Sequence, residues 1–136
     1  MNTISSLLNF IGNTIKNIQT PIVVRATGIS VPSASWTQLC KITLPANGKY
    51  LLLGMGTGST VANGSTIAVG LNKVSGTLVD EVLGGTTGST VGGGAKCVCG
   101  YVETDTSTVI ELREFLYGSG TTSNALGWII AIPLKA

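Results

Sequence analysis

Three short stretches of this chain are apolar at almost every consecutive position: Tyr50-Leu51-Leu52-Leu53, Cys97-Val98-Cys99-Gly100-Tyr101-Val102 and Leu126-Gly127-Trp128-Ile129-Ile130-Ala131-Ile132. Each is too short for a spanning helix, and each lies among glycine and β-branched residues, so each reads as a strand. Successive side chains of a strand point to opposite faces, and a strand with one wet face alternates apolar with polar. These three do not alternate. One face of each serves a core, and the other needs a second cover. The economical cover is another subunit, because after residue 20 no helix is evident.

The rest of the chain reads as short strands with turn residues every eight to twelve positions, the pattern of an all-β sandwich or barrel. Expected strands are Ile22–Ser30, Trp36–Leu44, Lys49–Gly56, Thr66–Asn72, Thr77–Leu83, Ala95–Glu103, Thr108–Tyr117 and Leu126–Leu134. Turns are expected at Pro45-Ala46-Asn47-Gly48 and Asn63-Gly64, whose Asn-Gly pairs tolerate positive φ. Longer glycine loops are expected at Gly84–Gly94 and Gly118–Asn124. Val109, Leu112, Phe115 and Leu116 also fit a helical stripe, but Thr108, Val109, Ile110 and Tyr117 favour strand. Glu114 interrupts the alternation there, which suggests a bulge.

The first 19 residues have a different period. Ile4, Leu7, Leu8, Ile11, Ile15 and Ile18 recur at helical spacings, with Ile4, Ile11 and Ile18 on one heptad position. A lone helix this short is marginal in water and needs a partner surface. The expected organisation is a helix over residues 1–20 for trimerisation or attachment, then one β-sandwich over residues 21–136. No basic n-region precedes an unbroken apolar core at the N-terminus, so the expectation is synthesis in the cytoplasm without a signal peptide.

Composition narrows the function. Charged residues are 10% of the chain, whereas 19 glycines, 12 serines and 18 threonines supply a neutral, hydroxyl-rich surface. Net charge is +2 and no basic run is present, which argues against nucleic-acid binding. No apolar run is long enough for a membrane span. The chain has no histidine, the commonest general base and metal ligand.

No motif for chemistry survives scrutiny of its spacing. Gly54-Met55-Gly56-Thr57-Gly58 has Ser59 where a dinucleotide-binding loop needs its third glycine, and no helix follows. Gly88–Lys96 lacks the Lys-Ser/Thr ending of a phosphate-binding loop. Cys97 and Cys99 share a strand face and Cys40 lies on another strand, which reads as small apolar residues in a core or at a subunit contact. Glu111 and Arg113 share a face and are placed to pair. The expectation is therefore no catalytic residues, no cofactor and no metal site.

Taken together, Trp36, the run Ile42-Thr43-Leu44-Pro45-Ala46-Asn47-Gly48-Lys49-Tyr50, Val69-Gly70-Leu71-Asn72 and the closing Leu126–Ile132 resemble the C1q/tumour-necrosis-factor-like jelly roll. The resemblance covers about Ile22 to Ala136. Its nearest flavour is microbial, in small trimeric head domains of bacteriophage fibres and in spore-surface collagen-tip domains. The chain departs from it in lacking a collagen-like stalk and in holding only seven aromatic residues. The resemblance implies a jelly-roll sandwich of about eight antiparallel strands, assembled as a tight homotrimer with one sheet facing the axis.

On that basis the oligomer interface is expected to use Ile4, Leu7, Ile11, Ile18, Leu51, Leu53, Val98, Val102, Trp128, Ile130 and Ile132. Ligand-facing loops are expected to offer Thr86, Thr87, Ser89, Thr90, Ser119, Thr121, Thr122 and Asn124 for hydrogen bonding to host cell-surface carbohydrate. The function implied is that of a bacteriophage virion structural protein, a trimeric fibre, spike or decoration element that serves host-surface adhesion or capsid decoration and contacts other virion proteins through its N-terminal segment. The alternative is a C1q-like cellular or spore-surface binding module.

Overall fold

The computed structural model describes residues 3–16, 19–59, 66–89, 94–118 and 121–135, with side chains at 3–11, 19–58, 66–85, 95–118 and 124–135. Among the described residues one helix, α1 (Thr3–Lys16), precedes nine strands. These are β1 (Ile22–Pro32), β2 (Trp36–Leu44), β3 (Lys49–Ser59), β4 (Thr66–Ser75), β5 (Leu78–Leu83), β6 (Gly85–Ser89), β7 (Gly94–Thr104), β8 (Thr108–Tyr117) and β9 (Thr121–Leu134). They form a five-stranded sheet in the order β1-β9-β3-β7-β5 and a four-stranded sheet in the order β2-β8-β4-β6. All strand pairs are antiparallel, and every consecutive strand lies in the opposite sheet.

The ninth strand arises inside a segment expected to be a loop. β5 pairs with β7 and β6 pairs with β4, and the two follow one another with only Gly84 between them. Gly84 donates its N–H to the Cys99 carbonyl at 3.1 Å, and its own carbonyl accepts from the Leu71 N–H at 3.0 Å, so this residue joins both sheets. β5 and β6 are thus one extended segment that changes sheets at Gly84. A side chain there would strike the Cys99 carbonyl, so only glycine allows the approach. Counted as one strand, β5–β6 completes two interleaved sets of four, β1-β9-β3-β7 and β2-β8-β4-β6, which is the eight-stranded jelly roll.

The core lies between the sheets. Leu52 and Ile129 from one sheet meet Ile42, Leu44, Ile67, Ile110, Leu112 and Leu116 from the other, all essentially inaccessible. The glycines that imitated a nucleotide loop belong to this packing. A Cβ on Gly54 would lie 2.9 Å from Leu112 Cδ1, and one on Gly56 would lie 3.0 Å from Leu39 Cδ1 and Val69 Cγ2. They are the inward positions of β3, left small because large residues of the facing sheet fill the space.

β8 is a strand throughout, and it has no bulge at Glu114. Residues 108, 110, 112, 114 and 116 are buried in unbroken alternation, so Glu114 points inward at 0% exposure. The register shift falls in the partner strand, between Gln38 and Cys40, where Leu39 and Cys40 are both buried. Burying a carboxylate is costly, and strand periodicity fixed its direction here.

The turn at Pro45–Gly48 forms as expected, with Asn47 at φ 56°. Thr104, 2% exposed, holds it: its hydroxyl donates to the Pro45 carbonyl at 2.7 Å and accepts from the Gly48 N–H at 3.0 Å. This turn sits at the end of the sandwich where the chain enters β1 at Ile22 and leaves β9 at Leu134. The turn over Ser33–Ser35 and the strand ends flanking 60–65, 90–93 and 119–120 lie at the opposite end. Asn63-Gly64 falls outside the described residues.

Candidate interaction surface

The outward positions of the five-stranded sheet are the alternate residues left over once the core is subtracted. Register aligns them in rows across the sheet. Val23, Ile130, Leu53 and Cys99 make one row; Arg25, Trp128, Met55 and Cys97 make the next; Ile132, Leu51, Tyr101 and Val82 lie on the other side. The centre is thus apolar over four strands. Leu51 is 37% exposed, Val23 61% and Val82 65%. Charges stand at the margin: Lys49 Nζ lies 3.4 Å from Glu103 Oε2, with Asp80 opposite Glu103. A contiguous apolar face of this kind marks an interaction site on a soluble protein.

Of the residues expected at a subunit contact, Leu51, Leu53, Trp128, Ile130 and Ile132 project from this face. Val98 and Val102 do not. They are 7% and 0% exposed and belong to the sandwich core. β7 is apolar on both sides, so its sequence does not say which side is inward. Pairing with β3 settles it, setting Cys97, Cys99 and Tyr101 beside outward Met55, Leu53 and Leu51. Of the two places open to the cysteines, Cys97 and Cys99 take the outer face and are exposed, whereas Cys40 is buried. Tyr101 is the residue of this row that the sequence did not single out. Burial pushes the Cys40 thiol up to about 11. Tyr50, buried beneath the Pro45 turn, is also raised by desolvation.

Ile4, Leu7, Leu8, Phe10 and Ile11 of α1 are 44–69% exposed. Ile18 lies outside the described residues. No helix among the described residues is long and apolar enough to cross a membrane.

The expected ligand loops are partly strand. Thr86, Thr87 and Ser89 lie on β6, whose β-branched threonines pair with β4 despite the flanking glycines. Thr121, Thr122 and Asn124 lie on β9, with Asn124 exposed at φ 53°. Thr90 and Ser119 fall outside the described residues.

The outer face of the four-stranded sheet is unlike the first. Trp36 and Phe115 approach with ring centroids 5.4 Å apart, and Phe115 and Tyr117 with centroids 4.5 Å apart. The Arg113 guanidinium carbon lies 4.5 Å from the centre of the Trp36 ring. Arg113 does not pair with Glu111; that carboxylate accepts from Asn72 Nδ2 at 2.9 Å instead.

No protein-family model and no curated protein matches the chain. Among solved structures, a chain from the structure of infectious bursal disease virus, Gx strain, aligns with a TM-score of 0.51 at 17% identity. The alignment covers 85% of this chain and 33% of that one, so the chain spans about a third of the length of this neighbour. The likeness is one of fold, an all-β sandwich.

Proposed function

We propose that this protein is a non-catalytic structural component of a virion, a fibre, spike or decoration element assembled as a homotrimer through the outer face of its five-stranded sheet. One observation carries the reading: Leu51, Leu53, Met55, Trp128, Ile130 and Ile132 form an apolar face with charge confined to its margin. A second copy of the chain is the occupant best suited to it, since a neutral apolar face complements another like itself. A closed ring covers such a face without leaving an open end, and the C1q/tumour-necrosis-factor-like resemblance selects threefold closure. The solved viral structure of similar fold adds support for a virion role.

The two ends of the sandwich divide the remaining work. The N-terminal segment joins the end that carries the chain entry and exit, and attaches the head to other virion proteins. The opposite end faces outward, for adhesion to the host surface. Light scattering on the full chain tests the assembly: a mass three times 13.9 kDa is expected, falling to one copy in Leu53→Glu. A folded, monomeric wild-type chain at micromolar concentration overturns the reading. Labelled protein located on a virion by electron microscopy tests the rest.

A further inference from the structure

A groove of about 340 Å³ crosses the outer face of the four-stranded sheet, lined among others by Trp36, Gly70, Leu83, Gly85, Arg113 and Tyr117. Two glycines form its floor, and neither is required by the packing around it. A Cβ on Gly70 would meet nothing closer than 3.9 Å, and one on Gly85 nothing closer than 3.5 Å. Neither has a positive φ. Backbone conformation and packing therefore do not demand glycine here, in contrast to Gly84. Glycine in a strand also marks close approach of a ligand, and these two residues make room for one.

The walls define its chemistry. Trp36 is 44% exposed and Tyr117 49%, so their rings remain available beside the groove. Arg113 is held over Trp36, its Nε is buried without a hydrogen-bond partner, and the carboxylate two residues away is engaged by Asn72. An aromatic side chain beside a guanidinium that has no acidic partner among the described residues suits a ligand with a flat C–H face and an anionic group. Arg presents a planar fork that matches a carboxylate. A cavity of a few hundred Å³ holds one or two sugar rings.

We propose that this groove binds an acidic sugar unit of a surface glycan, with the ring against the exposed parts of Trp36 and Tyr117 that Arg113 does not cover and the carboxylate paired with Arg113. The site lies on a sheet, away from the hydroxyl-rich loops first expected to contact carbohydrate. The proposal rests on the adhesion part of the reading above and is independent of threefold assembly.

Saturation-transfer NMR and calorimetry on the full chain test it, with methyl glucuronide, the methyl glycoside of N-acetylneuraminic acid, neutral methyl glucoside and acetate as probes. Binding of at least one acidic sugar is expected with a Kd of about 1 mM, and methyl glucoside and acetate should bind roughly 10-fold more weakly. Arg113→Gln should erase the preference for the acidic sugar. Gly70→Ala, whose Cβ fits at ordinary contact distances on the floor, should weaken sugar binding with an unchanged melting temperature, and the bulkier Gly70→Val should weaken it by about 10-fold or more. Three results overturn the proposal: no sugar binding at 10-fold above that concentration, equal binding by wild type and Gly70→Val, or acetate binding as tightly as the sugar. Adhesion to host cells that persists in Gly70→Val while sugar binding is lost would reject the adhesion reading and leave the groove standing. Adhesion by a wild-type protein that binds none of the probes would do the reverse.

Discussion

On the outer face of the five-stranded sheet the side chains run Leu51, Leu53, Met55, Trp128, Ile130; on that of the four-stranded sheet they run Lys41, Thr43, Asn72, Glu111, Arg113. Both faces come from the same strand alternation over the same core. The second is furnished for water, with Trp36 and Tyr117 beside one groove. The first is furnished like a second core. A strand needs only one apolar side to fold into a sandwich, so the doubled apolar pattern of β3, β7 and β9 is information about something outside the single chain.

The sharpest way to break that comparison is to mutate the two sides of β3 at adjacent positions. Leu52 is fully buried between the sheets, whereas Leu53 faces out. Leu52→Ala should lower the unfolding free energy by about 2–5 kcal/mol in any oligomeric state, measured by denaturant unfolding. Leu53→Ala should instead lower stability in a manner that depends on protein concentration, because its loss acts through association. If both variants lose the same free energy at every concentration, the outer face is an ordinary surface.

Gly127 offers a comparison on β9. A Cβ there would lie 2.5 Å from Leu39 Cβ, whereas one on Gly70 would meet its neighbours at an ordinary contact distance of 3.9 Å. Gly127→Ala should cost about 1–3 kcal/mol through overpacking, and Gly70→Ala should change stability by less than about 0.5 kcal/mol, both read from thermal unfolding.

Much of this was legible in the sequence because it depends on period and turn chemistry. Alternation located the strands, Asn47-Gly48 located a turn, and the absence of alternation pointed to a face that wants cover. What sequence hid has a common cause: it required knowing which strand lies beside which. Val98 and Cys97 are both apolar neighbours on β7, and only the register with β3 turns Val98 inward. The strand β6 was concealed because glycine at 84 signals a break, yet here it lets an extended chain cross between sheets. The groove was invisible for the same reason. Trp36 and Arg113 are 77 positions apart, and cross-strand pairing of β2 with β8 unites them.

Thiol chemistry sharpens the comparison with smaller effects. Cys97 and Cys99 sit on the apolar outer face, whereas Cys40 is buried within the chain. In an assembled trimer at neutral pH all three should react slowly with a thiol reagent, and dissociation by Leu53→Glu should release two of them. Cys40 should stay protected in both. Its raised pKa favours the neutral thiol in the folded state, so its contribution to stability is present below pH 9.0, the ordinary value, and is lost as pH rises through about 11. Cys40→Ser should flatten that alkaline loss; an unchanged pH profile would assign it to another group.

The smallest expected effect lies at the margin of the apolar face, in the pair Lys49–Glu103. The two side chains are 41% and 29% exposed in the isolated chain, and an ion pair so hydrated contributes about 0–1 kcal/mol. Glu103→Gln should therefore change the stability of a dissociated chain by less than about 1 kcal/mol, and salt should reduce that difference further. The same substitution reports how far the covering subunit extends. If a second copy seals only the rows around Leu53 and Trp128, the pair stays wet and its contribution stays small in the trimer. If the neighbour reaches β7 and desolvates the pair, removing one partner leaves Lys49 buried and uncompensated, which costs about 3–5 kcal/mol. Charge confined to the edge of an apolar face favours the first outcome, since polar rims of interfaces remain hydrated. Comparing Glu103→Gln with wild type above and below the association midpoint measures the difference directly.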